Sequence, residues 1–80
     1  MTSYHELGSI IRFHRKKAGL SQLELSKYAN VGKTVVFDIE KGKLTVQLNS
    51  LLQILNVLNI NLEFISPLMS LYKETHVKES

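Results

Sequence analysis

The tightest constraint on this chain is the punctuation between residues 21 and 42. Ser21 and Glu24 form a Ser-x-x-Glu capping box, in which each side chain satisfies a backbone N–H that the first helical turn leaves open. The helix it opens is short and runs through Ala29. Asn30 stops it, since Asn ranks second to Gly where the backbone must turn left-handed. Val31 and Gly32 follow, and Lys33 to Lys41 reads as the next helix, with Val36 and Ile39 inward. Gly42 ends it.

Two helices joined by about four residues, Ala29 to Gly32, make a helix-turn-helix unit. A longer helix precedes it. Ser3 and Glu6 form another capping box, and Leu7, Ile10, Ile11, His14 and Ala18 recur at spacings of three and four. Gly19 closes that helix. On the second helix Leu25, Tyr28 and Ala29 are the apolar positions. His14, on the apolar stripe, is expected to be a core or semi-buried histidine. Ile10 and Phe13 are a candidate partner patch if exposed; the N-terminal turn or the tail is the alternative cover.

The second half of the chain differs in kind. Residues 1–43 hold eight Lys or Arg against four Asp or Glu, whereas residues 44–80 hold two against three. From Leu44 to Tyr72 the only charged residue is Glu63. A basic first half points to a polyanion. In the second half, Thr45 is expected to cap a fourth helix reaching Asn59. That helix is apolar on most of its circumference and must be covered on most of it. Three short helices cover one side, and a second copy of the chain is expected on the other. Ile60, Leu62 and Phe64 alternate with Asn61, Glu63 and Ile65, the period of a short strand. A lone strand needs a partner edge, and the same strand of a second subunit is the simplest one. Leu51, Leu55, Leu58, Ile60, Leu62 and Phe64 are therefore the expected dimer interface.

The expected boundaries are a helix-turn-helix domain over 3–65, which carries both the polyanion-binding and the dimerisation surfaces, and a flexible tail over 66–80. At 80 residues without cysteine, this is one small domain with no disulfide framework and no cysteine-based zinc site. A domain so small buries only about 60% of the surface its unfolded chain exposes, which favours a dimer as the folded unit. His5, His14 and His76 have no ligand-like spacing, so no metal site is expected. No phosphate-binding loop, nucleophile elbow or zinc-protease motif occurs. The expectation is a non-enzyme without cofactors. The first six residues lack a basic and apolar leader pattern, and 51–65 is too short and polar to span a bilayer. The default is a cytoplasmic protein with no membrane partner.

Leu7-Gly8, Ile11-Arg12, Arg15-Lys16, Gly19-Leu20-Ser21-Gln22, Glu24-Leu25-Ser26, Val31-Gly32 and Ile39-Glu40-Lys41-Gly42-Lys43 together resemble the Xre or phage-repressor-like helix-turn-helix family. The run from Asp38 to Lys43, then Thr45-Val46, Leu48, Leu51-Leu52, Ile54-Leu55 and Leu62-Glu63-Phe64, looks like the HipB-type antitoxin subgroup. The resemblance implies a mainly all-α, four- to five-helix lambda-repressor-like domain whose short C-terminal strand pairs in a homodimer. It implies a repressor of its own operon that binds double-stranded operator DNA. It also implies a HipA-like Ser/Thr kinase toxin as partner, in some systems with an additional small subunit. The sequence departs from the family at Phe13, His14, Ser26, Asn30 and Phe37.

The resemblance places Gly32, Lys33, Thr34, Phe37 and Asp38 where relatives read bases. Lys33 can donate to guanine O6 and N7, and Thr34 can bond a base or touch a thymine methyl. Phe37 either packs on thymine methyls or packs inside. Asp38 either accepts from cytosine, orients Lys33, or pairs with a neighbouring cation. Phosphates are expected at the start of helix 2, Ser21 and Gln22, and at Lys41, Lys43 and Arg12. Arg15 and Glu40 are expected to form the ion pair that ties helix 1 to helix 3, with a phosphate contact for Arg15 as the alternative. Two other functions compete: a stand-alone phage-type or restriction-controller repressor, and a protein-interaction module without DNA binding.

Overall fold

The computed structural model describes residues 4–43 and 45–76. Five helices follow in order: α1 (Tyr4–Lys17), α2 (Gln22–Ala29), α3 (Lys33–Glu40), α4 (Leu48–Val57) and α5 (Met69–His76). The architecture is all-α. Ser3, half of the first expected capping box, lies outside the described residues.

Helices α1 to α4 share one core. Ile11 of α1, Leu25 and Ala29 of α2, Val36 and Ile39 of α3, and Ile54 and Leu55 of α4 are buried, with Leu58 just beyond α4. α3 packs on α1 and α2, and α2 also packs on α4. The α1–α3 crossing is close enough to need a glycine. A Cβ on buried Gly8 would run into the Ile39 carbonyl and lie 2.8 Å from the Glu40 carbonyl oxygen.

The capping box at Ser21 is formed, and Asn30 terminates α2 in the left-handed conformation at φ 57°. α2 differs from expectation on its buried face. Tyr28 is exposed, and Ser26 takes the inward place beside Leu25 and Ala29. Ser26 fits there because it is small and its hydroxyl donates to the Leu23 carbonyl at 2.6 Å. His14 is also exposed; its Nδ1 donates to the Ile10 carbonyl at 2.7 Å within α1. A histidine on the rim of the stripe satisfies itself locally and leaves the core to Ile11.

α4 begins later than expected. Thr45 is not its cap; Gln47 is, in an extended conformation and without a side-chain bond to the first turn. Val46 packs against the core, which keeps the preceding backbone out of the helix. Asn59, at φ 57°, turns the chain out of α4, and the Ile60 N–H donates to the Leu55 carbonyl at 2.9 Å.

The expected interface residues divide here. Leu55 and Leu58 belong to the chain's own core, and Leu51 and Ile60 are half-buried against it. Within one chain α4 needs the sides of those residues that were assigned to a second copy. Leu62 and Phe64 are exposed. Residues 61–66 form no strand, and no backbone hydrogen bond joins 61–65 to other described residues. The segment expected to be a tail contains α5, which buries none of its residues. Inside α5 the Thr75 hydroxyl bonds to the Tyr72 carbonyl at 3.0 Å, and the rings of Tyr72 and His76 stack 4.4 Å apart.

Candidate nucleic-acid interface

α3 is presented by its own N-terminus. Gly32 caps it in the extended conformation, φ −69° and ψ 149°, so Lys33 and Thr34 occupy the first turn and both are exposed. Phe37 follows one turn later and is 43% exposed, so it does not pack inside. The Lys41 ammonium lies 4.8 Å from its ring centroid. Lys33, Thr34 and Phe37 line a shallow groove whose fourth wall is Gln22, the first residue of α2.

Asp38 is not part of that groove. It faces the α3–α4 connection, lining a cavity with Val35, Thr45, Val46, Gln47 and Ser50. Its carboxylate lies 3.5 Å from the Lys43 ammonium, so Lys43, not Lys33, is its ionic neighbour. That pair is largely solvated, and exposed pairs of this kind contribute about 0–1 kcal/mol.

The groove is held from behind by a buried ionic buckle. Arg15 Nε donates to Glu40 Oε2 at 2.7 Å, and a terminal guanidinium nitrogen donates to Oε1 at 3.0 Å. The other terminal nitrogen donates to the Leu20 carbonyl at 2.9 Å. Gln22 Nε2 donates to Glu40 Oε1 at 3.2 Å. Arg15 is 8% exposed, and its bond to Glu40 raises its already high pKa further. With its guanidinium so occupied, Arg15 is not a free phosphate ligand. One carboxylate thus joins α1, the start of α2 and the end of α3, and orients Gln22 at the groove mouth. A planar guanidinium suits this because its fork matches a carboxylate in two parallel bonds.

At the α2 N-terminus, Ser21 is partly committed. Its N–H donates to Glu24 Oε1 at 2.8 Å, and its hydroxyl oxygen accepts from the Glu24 N–H at 3.0 Å. Those bonds hold the Glu24 carboxyl below its ordinary pKa. The backbone N–H groups of Gln22 and Leu23 point out of the helix start, where intrahelical acceptors end. Lys41 and Lys43 flank the far end of α3, both exposed. Arg12 lies elsewhere, in a groove on α1 with Ser9, Phe13, Lys16 and Lys17, where the Lys17 ammonium sits 5.5 Å from the Phe13 ring centroid.

The family resemblance grouped Lys33, Thr34 and Phe37 with Gly32 and Asp38, and the structure brings the first three into one groove. It missed the Gln22–Glu40 bond, the Leu20 carbonyl as a third anchor of Arg15, and the packing role of Gly8. Only the glycine left a trace, as a small residue on an apolar stripe.

The helix-turn-helix family model (HTH_3) matches residues 11–65. The chain is 36% identical over 62 residues to an HTH-type transcriptional regulator, y4mF, of Sinorhizobium fredii (strain NBRC 101917 / NGR234), covering 78% of this chain and 82% of the relative. A solved chain called MDT Protein superposes with a TM-score of 0.73 at 19% identity, covering 84% of this chain and 94% of that one. At that identity the likeness concerns the fold alone.

Proposed function

This chain belongs to the helix-turn-helix family, and on that premise we propose that it is a sequence-specific DNA-binding transcriptional repressor that acts as a homodimer. The observation that carries the reading is the exposed groove of Gln22, Lys33, Thr34 and Phe37, backed by the buried Arg15–Glu40 buckle. In this reading α3 enters the major groove with its first turn against base edges. Lys33 donates to guanine O6 and N7, Thr34 bonds a base or meets a thymine methyl, and Phe37 packs on methyls. Lys41 and Lys43 meet phosphates at one end of α3. The Gln22 side chain and the N–H groups at the start of α2 meet them at the other. Asp38 neutralises Lys43 in the free protein, and Gly32 lets the backbone approach the duplex. Ser21 serves chiefly by fixing the start of α2. Arg12 stands outside this groove and contributes at most a peripheral phosphate contact.

The dimer joins through the segment after α4, with Leu62 and Phe64 as its apolar contacts. Half-sites then lie about 34–36 Å apart, one helical turn. The finer reading is an antitoxin that represses its own operon and binds a HipA-like kinase; what supports it is the resemblance of residues between Asp38 and Phe64 to the HipB-type subgroup.

The test is fluorescence anisotropy with DNA from upstream of the chain's own gene, titrated with salt. Each phosphate contact should add about −0.9 to the slope of log K against log salt. A flat salt response would leave an interaction module as the function. Leu62→Asp and Phe64→Asp should sediment as monomers with weak operator binding; an unchanged dimer for both refutes this interface. Affinity capture of the tagged chain from its host should bring down a kinase, and capture without one removes the antitoxin reading.

A further inference from the structure

We propose that the dimer exchanges its C-terminal arms, so that α5 of each copy docks on the outer face of α4 of the other. This rests on the dimer proposed above and specifies what the arm does within it.

Among the described residues two apolar surfaces stay exposed. On the arm, Leu68, Leu71 and Tyr72 follow at spacings of three and one, the pattern of a single helix face, and each has more than half its surface exposed. On α4, Leu48 and Leu52 are one turn apart and exposed at 65% and 42%. The two faces are joined by the connection 58–68, and the large apolar side chains on both stay exposed. Residues 61–66 form neither helix nor strand, and six residues can reach at most roughly 20 Å, enough to carry α5 off the body. The molecule accordingly measures 42 Å along one axis and 26 and 24 Å along the others. A helix of eight residues is not stable alone in water, so α5 needs a surface.

A second copy is the occupant that fits. Two-fold symmetry lets both α5 helices find both α4 faces with one contact used twice. No charge opposes the match on the α4 side, since Glu63 is the only charged residue from Leu44 to Tyr72. The contact is continuous with Leu62, Phe64 and Ile65, which brings eight large exposed apolar side chains per copy into one surface. That is the scale of the ~800 Å² per partner that a stable interface takes.

The chain has no cysteine, so thiol cross-linking reports cleanly. The full chain carrying both Leu52→Cys and Tyr72→Cys is treated with a short bis-maleimide and run under denaturing conditions; both positions are exposed, and far-UV circular dichroism checks the fold. The expected product is a covalent dimer, formed also when the two single variants are mixed. An internally linked monomer overturns the exchange. So does an absence of linkage while the wild type sediments as a dimer, and in that case the dimer itself stands. A wild type that sediments as a monomer removes both. Leu71→Asp should in addition weaken the dimer at least about tenfold by sedimentation; an unchanged constant contradicts the exchange.

Discussion

Helices α1 to α4 and the arm after Ile60 carry similar apolar side chains and treat them in opposite ways. In the first region Ile11, Leu25, Val36 and Ile54 are completely buried, and the buried polar groups of Arg15 and Ser26 are satisfied. In the second, Phe64 is 69% and Ile65 85% exposed, and the backbone of 61–65 makes no ladder bonds to described residues. The Cα radius of gyration, 14.8 Å, exceeds the ~12 Å of a compact chain of this length, because the arm extends outward. Composition does not separate the regions, since α4 is as apolar as the arm. The difference is that α4 has α2 to pack on, whereas among the described residues the arm buries none of its large apolar side chains. A region closed on itself holds a site steady; an open one is a place for another chain.

Substitutions should separate the two regions by what they change. The largest effect is expected from Glu40→Ala, which strands a buried guanidinium and frees Gln22. Removing one partner of a buried pair costs about 3–5 kcal/mol, read as a fall in the urea midpoint. A variant as stable as the wild type would mean that the buckle does not hold α1 to α3. Gly8→Ala drives a methyl group into the carbonyls of α3 and should cost about 1–3 kcal/mol in the same assay. Lys33→Ala should leave the unfolding midpoint in place and weaken operator binding by about 1–3 kcal/mol; unaltered affinity removes Lys33 as a base reader. In the arm, Phe64→Asp should change the sedimentation of the chain while amide exchange in the α1–α3 core stays protected. Lost protection there would show that the core depends on the arm.

The smallest effect concerns acid. Bonds from Ser21 hold the folded Glu24 pKa below its ordinary 4.5. The cap's contribution is therefore complete above that value and lost as pH falls through the lower folded pKa. Glu24→Gln should flatten the acid limb of α2 stability followed by circular dichroism, and an unchanged limb would assign the acid sensitivity to other carboxylates.

Local signals were legible in the sequence where a single side chain acts on its own backbone. Ser21 with Glu24, Asn30 and Gly42 mark element ends because capping and left-handed turns depend on residues within one turn of each other. The inward residues Ile11 of α1, Leu25 of α2, and Val36 and Ile39 of α3 were legible for the same reason, since helical spacing picks out the apolar face of each helix separately. Thr45 misled because a good cap residue is overruled when Val46 is needed in the core. His14 and Tyr28 misled because helical spacing gives a direction but not the width of the neighbour that covers it. Leu55 and Leu58 were assigned outward because an all-round apolar helix does not show which side its own chain takes.

The order and ends of the first three helices and the turn between the second and third follow from the sequence by itself, because short-range hydrogen bonding and periodicity determine them. Tertiary structure alone decided that Gln22 joins the expected Arg15–Glu40 pair, which of its open alternatives Asp38 takes, and that Gly8 is the contact point of α1 with α3. It also decided that the arm goes uncovered. Those outcomes depend on which surfaces meet across long stretches of chain, and meeting is settled by packing, not by spacing.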